Sequence, residues 1–221
     1  MPRIARVIAL DYPHHVTQRG TNRSEIFLDD KDRLFMLERL KSSAEKTLTE
    51  IWAYCLMDNH LHLLLVPRSK GGLGRCLHSA TFRYAQYFNK KYERSGRLWQ
   101  NRYFSCPVDK EVYLWAVVRY IENNPVRSGI SKNAADWKWS SASAHVEGVY
   151  DRFLTYPDWL DESERENYSK FLKEYSDDGE VRKATTTGRP LGSEGFVETI
   201  AMKLNRMLKP KPGGRPQKIK L

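Results

Sequence analysis

Between Met57 and Val66 the chain reads Met-Asp-Asn-His-Leu-His-Leu-Leu-Leu-Val. A short apolar run behind a turn-forming Asp58-Asn59 reads as a buried β-strand. Side chains alternate faces along a strand, so His60 and His62 project together from one side. Each imidazole carries polar nitrogens that need partners when buried. A shared metal ion is one partner that serves both, and hydrogen-bonded structural histidines are the alternative. A third ligand and a reactive group elsewhere decide between these readings.

The flanking segments predict how this strand is sheltered. His15 to Arg19 alternates as a first strand, and Gly20-Thr21-Asn22-Arg23 is turn-like. From Asp30, Leu34, Leu37, Leu40, Ala44 and Leu48 recur at helical spacing. Ile51 to Leu56 forms a second strand and residues 60–66 a third. Gly71-Gly72 opens a second helix, with Gly96 suited to its end. Leu98 to Pro107 reads as extended, and Asp109 can cap a third helix over 110–123. Asn124-Pro125 then stops that helix. The order strand–helix–strand–strand–helix–strand–helix predicts an α+β fold of ferredoxin-like type. Its antiparallel β-sheet has helices mainly on one face, followed by a helical C-terminal extension.

Composition limits the partners. The 221 residues carry a net charge of +10, and no apolar run approaches the roughly 18 residues of a membrane span. Residues 68–110 hold ten Lys/Arg and two Asp/Glu; residues 181–221 hold the same numbers. Between them, residues 151–180 hold four basic and ten acidic groups. Two basic zones around an acidic one point to a polyanion, nucleic acid first among them. The three cysteines have no metal-site spacing and read as reduced thiols of a cytoplasmic protein. Three regions are expected: a catalytic domain over 1–150, an acidic helical extension and linker over 151–192, and a basic end over 193–221. A helix over 193–208, capped by Ser193, would begin that last part, and its Pro/Gly-rich tail would lack regular structure.

The reactive group is sought on the third helix, in Tyr120-Ile121-Glu122-Asn123-Asn124-Pro125. Tyr120 and Asn124 are four residues apart and share one helix face. A tyrosine can attack phosphorus as a nucleophile, and an amide oxygen one turn on can reach the same metal. Core packing for Tyr120 and a helix cap for Asn124 are the structural alternatives.

His60-Leu61-His62, followed about sixty residues later by Tyr-x-x-x-Asn-Pro-Val-Arg, resembles the HUH single-tyrosine transposases. The REP-associated tyrosine transposase branch is the most similar. The stretches His15-Val16-Thr17-Gln18-Arg19-Gly20, Leu98-Trp99-Gln100-Asn101-Arg102-Tyr103 and Trp137-Lys138-Trp139-Ser140-Ser141 extend the resemblance over about residues 8–145. It implies a DNA strand transferase with His60, His62 and Asn124 holding Mg²⁺ or Mn²⁺ and Tyr120 as nucleophile. Insertion-sequence relatives often carry glutamine where this chain has Asn124, one methylene shorter. Asp58 is either turn variation or a support for His60. The implied reaction cuts single-stranded DNA at a hairpin repeat, leaving a free 3′-OH and a 5′-phosphotyrosine. A monomer or homodimer in the cytoplasm, associated with the nucleoid, fits this role.

Candidate DNA contacts follow from charge and aromaticity. Arg83 and Lys90 lie on the second helix; Arg97, Trp99 and Arg102 follow it; Arg19 and Arg23 flank the first turn. Gly188-Arg189-Pro190 and Gly214-Arg215-Pro216 resemble the core of a minor-groove hook, or serve as charged linker. Other classes remain in view. A DNA-binding protein of this fold with dispensable chemistry would keep function without Tyr120. A rolling-circle initiator or relaxase would share the histidine pair, but the chain has no helicase motifs and no second tyrosine four residues from the first. A zinc hydrolase would need an H-E-x-x-H helix, which is absent.

Overall fold

A computed structural model of the chain describes residues 5–155, 160–174 and 178–208. Four strands, β1 (His14–Arg19), β2 (Thr49–Met57), β3 (His60–Pro67) and β4 (Phe104–Pro107), form one sheet in the order β2-β3-β1-β4. All neighbours are antiparallel. β2 and β3 form a hairpin in which Met57 pairs with His60 across Asp58-Asn59. Helices α1 (Asp30–Lys46) and α2 (Gly72–Lys91) supply the two crossovers, which is the ferredoxin-like arrangement.

The strand period divides the core in two. Leu61, Leu63 and Leu65 of β3 face α1 and α2, with Met36, Leu40, Leu77, Tyr84 and Phe88 buried against them. Leu64 and Val66 turn to the other face, as must His60 and His62. That second face is closed by shorter helices: α3 (Leu114–Glu122), α5 (Ala142–Glu147), α6 (Arg165–Lys173) and α7 (Gly179–Thr187). The two long helices thus sit on one side as expected, while the chemistry sits on the other.

Several local expectations shift. α1 is closed at its start by a capping box between Asp29 and Asp32. α2 ends at Lys91, so Gly96, at φ +87°, turns the loop beyond the helix rather than capping it. Only residues 104–107 of the expected 98–107 strand pair as β4. Asp109 accepts hydrogen bonds from Glu111 N, Ser193 N and Ser193 Oγ, and α3 proper begins only at Leu114. Pro125 does not end helical structure: it occupies the first turn of α4 (Asn124–Arg127), where its missing N–H costs nothing.

The described residues of 160–174 and 178–191 share the second core rather than standing apart. Tyr168, Leu172, Val181, Ala184 and Leu191 are buried with Val117, Val118 and Ile121 of α3. Residues 181–192, expected as linker, carry most of α7, because Val181, Ala184 and Thr185 fall on one buried helix face. Ser193 caps α8 (Glu194–Lys203) by accepting from Phe196 N at 3.2 Å, as the sequence implies. The Pro/Gly-rich tail, with Arg215, lies outside the described residues.

Candidate active site

Four separate segments converge on a cavity of about 400 Å³. His15 and Arg19 come from β1, His60 and His62 from β3, Tyr120 from α3, and Thr185 from α7. Antiparallel pairing sets His62 opposite Thr17, which places His15 and His62 diagonally on the same face. Their ring planes lie 9° apart with centroids at 5.3 Å. The Tyr120 ring stands edge-on to both, 5.3 Å from His15 and 5.4 Å from His62. His60 lies 5.0 Å from His62, centroid to centroid.

Hydrogen bonds fix how these rings present themselves. Asn59 Nδ2 donates to Arg23 O at 3.1 Å, which turns Asn59 Oδ1 toward His60. His60 Nδ1 lies 2.6 Å from that oxygen and must therefore donate, leaving Nε2 with its lone pair. Asn59, not Asp58, is the support for His60: the Asp58 carboxylate pairs with Arg33. His62 Nδ1 meets His15 Nε2 at 3.0 Å. Among the described residues, nothing hydrogen-bonds His60 Nε2, His62 Nε2 or the Tyr120 hydroxyl.

Burial keeps these imidazoles neutral. It pushes His60 down to about 4, aided by Arg19 and Arg127, and His15 down to about 3. His62 is lowered well below its ordinary value by burial first, then by His60 and His15. Neutral imidazoles with bare Nε2 atoms are the form that binds a metal. Two histidines whose remaining nitrogens are already engaged thus fit a divalent ion. Among the described residues no three His, Cys, Asp or Glu side chains are arranged to hold an ion together, so a hard ion on the pair would draw further oxygen ligands from phosphate and water.

Asn124 is placed beside the pair but is engaged otherwise. Its Nδ2 donates to Tyr120 O and Ile121 O at 2.8 and 3.1 Å. Its Oδ1 accepts from Arg127 Nη2 at 2.6 Å. Arg127 in turn places its guanidinium 4.4 Å from the centre of the Tyr120 ring and pairs with Asp178. Arg127 ends the Asn-Pro-Val-Arg motif, and only the short helix α4 turns it back onto Tyr120.

The cavity is lined by Arg19, Arg102, Arg127 and Arg182 and by no carboxylate. A concave basic surface of this kind attracts and orients a phosphate chain. Of the predicted DNA contacts, Arg19 and Arg102 reach it. Trp99 does not offer a free stacking face: its Nε1 donates to Thr81 O at 2.9 Å and its ring packs 5.8 Å from Tyr84 in the first core. Arg23, Arg83, Lys90 and Arg97 are exposed outside the cavity, the second and third on α2 across the sheet. Arg189 does not dangle as a hook, since its guanidinium donates to Leu208 O.

The sheet thus presents a histidine pair to a helix-borne tyrosine within one basic cavity. The sequence model of the family described as "Transposase IS200 like" matches residues 9–124, just over half of the chain and all four of His60, His62, Tyr120 and Asn124. The chain belongs to this family of transposases, enzymes that cleave and transfer DNA strands. It is 26% identical over 155 residues to a Haemophilus influenzae protein described as a REP-associated tyrosine transposase, covering 62% of this chain and 88% of that one. A solved REP-associated tyrosine transposase bound to a REP hairpin has the same fold, with TM-score 0.54 and 20% identity over 74% of this chain and 96% of that chain. A transposase structure from Deinococcus radiodurans aligns only at TM-score 0.37, with 19% identity over 55% of this chain and 97% of its own. No helix among the described residues is long and apolar enough to cross a membrane.

Proposed function

We propose that this transposase cuts and rejoins single-stranded DNA at repeat hairpins through a covalent link to Tyr120. The observation that carries this reading is the placement of Tyr120 and the bare Nε2 atoms of His60 and His62 on one basic cavity. The hairpin-bound relative supports the substrate class. Residues 1–150 would supply the nucleophile and ligands, residues 151–192 would complete the site, and 193–221 would add DNA affinity.

Arg19, Arg102 and Arg182 hold the phosphate chain along the cavity wall. His60 and His62 would hold Mg²⁺ or Mn²⁺, which would supply positive charge at the scissile phosphate. Tyr120 Oη attacks phosphorus in line and forms the new P–O bond. The bond to the 3′-oxygen breaks, and that oxygen leaves as a 3′-OH after taking a proton from solvent. The Tyr120 proton passes to solvent as the P–O bond forms, and the Arg127 guanidinium, against the Tyr120 ring, offsets negative charge gathering at the reacting centre. A second 3′-OH can reverse the step at a new junction, so strands are exchanged without hydrolysis. Asn124 holds Arg127 and the end of α3; to serve as a metal ligand its oxygen would have to give up Arg127.

The test uses labelled single-stranded hairpins from the palindromic repeats flanking the gene, with Mn²⁺ or Mg²⁺, on a denaturing gel. A covalent band that vanishes in Tyr120→Phe is expected. Hairpin binding without any band in the wild-type protein would favour a DNA-binding role with dispensable chemistry.

A further inference from the structure

His15 and Thr185 lie 170 residues apart, yet His15 Nδ1 meets Thr185 Oγ1 at 2.7 Å behind the histidine pair. We propose that Thr185 and His15 form a positioning relay that fixes His62 with its proton on Nδ1 and its lone pair on Nε2, making α7 a working part of the active site. The proposal rests on the metal-site reading above and gives His15 and Thr185 a positioning role behind His62.

The proton count fixes the direction. Thr185 Oγ1 lies 2.8 Å from Val181 O, and a carbonyl cannot donate, so the Thr185 hydroxyl must. Oγ1 then accepts from His15 Nδ1–H. His15 Nε2 is left bare and accepts from His62 Nδ1–H at 3.0 Å. His62 Nε2 is left unprotonated. Every close polar pair in this chain then holds one proton. Running the relay the other way would press the Thr185 and Val181 oxygens together at 2.8 Å with no proton between them, and would put an N–H on His62 Nε2. A ligating imidazole cannot carry that proton.

The three side chains meet one another with almost no surface left to bulk solvent. His15 is 0% exposed, Thr185 4% and His62 5%. The near-coplanar rings keep the His15 lone pair in line with the His62 N–H. His60 has its own, separate support in Asn59, so the two ligands are oriented from opposite directions: one by the β2–β3 turn, the other by α7. Partners behind metal-binding histidines typically change metal affinity about 10–100-fold when removed.

The experiment reads the tautomer directly. Full-length protein with ¹⁵N-labelled histidine, free of metal, is examined by long-range ¹H–¹⁵N correlation, and Mn²⁺ affinity is measured separately at the same pH. The wild type is expected to show His62 protonated on Nδ1 only. Thr185→Val keeps the shape without the hydroxyl; it should mix the His62 tautomers and weaken Mn²⁺ binding about 10-fold or more. Thr185→Ser should restore both. A wild-type His62 protonated on Nε2 overturns the relay, and that result needs no variant to fold. A folded Thr185→Val with unchanged tautomer and Mn²⁺ affinity within twofold overturns it too. The stated tautomer in a wild-type protein that binds no Mn²⁺ supports the relay and removes the metal reading instead.

Discussion

Replacing Arg127 by methionine should slow attack by Tyr120 about 10-fold while leaving the protein folded. The guanidinium carbon stands 4.4 Å from the Tyr120 ring centre. At an effective dielectric of about 20, two unit charges at about that separation interact by about 4 kcal/mol, which bounds what Arg127 can contribute to charge gathering in the transition state. Two features reduce this. The Arg127 side chain is 30% exposed, and Asp178 neutralises part of its charge. About 1–2 kcal/mol then remains, or roughly 5–30-fold in rate. The assay is single-turnover formation of the covalent protein–DNA product at saturating hairpin. Asp178→Asn should act in the opposite sense and speed the step about 2–3-fold, because it frees the guanidinium's charge. Arg127→Lys separates charge from geometry: it keeps the cation but cannot hold Asn124 in the same fork. A rate for Arg127→Met within twofold of wild type, or a slower Asp178→Asn, would refute the electrostatic role.

Four further outcomes follow from other parts of the structure. Glu122→Ala removes the acceptor of three buried donors, Ser141 Oγ, His145 Nδ1 and Tyr168 Oη, and should lower stability by about 3–6 kcal/mol in urea unfolding. His14 is held neutral, donating to Tyr12 O and accepting from Ala9 N, and burial pushes it down to about 4. The unfolded chain therefore binds a proton that the folded one refuses between about pH 6.5 and 4; stability present above 6.5 falls through that window by about 3 kcal/mol, and His14→Gln should flatten the fall in melting curves. Gly20→Ala would put a Cβ 2.3 Å from Ser24 O and 2.7 Å from Ile26 Cγ2, costing about 1–3 kcal/mol by thermal unfolding. A fragment ending at residue 150 strips Tyr168, Leu172, Val181 and Leu191 from the second core; at about 1.5–3 kcal/mol per side chain it should lose its cooperative unfolding transition, whereas a sharp transition near that of the full chain would show the first 150 residues to be self-sufficient.

The sheet was legible because its strands are short, apolar and bounded by turn residues. β3 starts at His60, where the alternation and the preceding Asp58-Asn59 place it, and α1 starts at Asp30 behind its acidic cap. What the pattern could not supply was the length of pairing. Leu98 to Tyr103 is as β-prone as β4, but it pairs only through the isolated Gly20–Trp99 bridge, because Trp99 is drawn into the core beneath α2. Pro125 illustrates a second limit. A proline interrupts a helix from within and begins one equally well, and only the backbone around it decides which.

The site was half legible for a related reason. His60, His62, Tyr120 and Asn124 fall into two local spacings, i to i+2 on a strand and i to i+4 on a helix, and such spacings can be read in one dimension. His15 shares its strand face with Thr17 and Arg19, so its inward aim was also available; its target was not. That target depends on the β1–β3 register, which sets His62 opposite Thr17, and on α7 returning to cover β1 and β4. The acidic run before α7 argued for a solvated appendage, since charge dominates composition there. Yet Val181, Ala184 and Thr185 form the one face that matters, and a threonine on a helix face carries no signal until something buried needs its oxygen. The proposed reacting groups are written in motifs, while the contacts that aim them come from distant segments. The orientation of His15 and His62 rests on α7, so changes far from any motif in the sequence can disturb it.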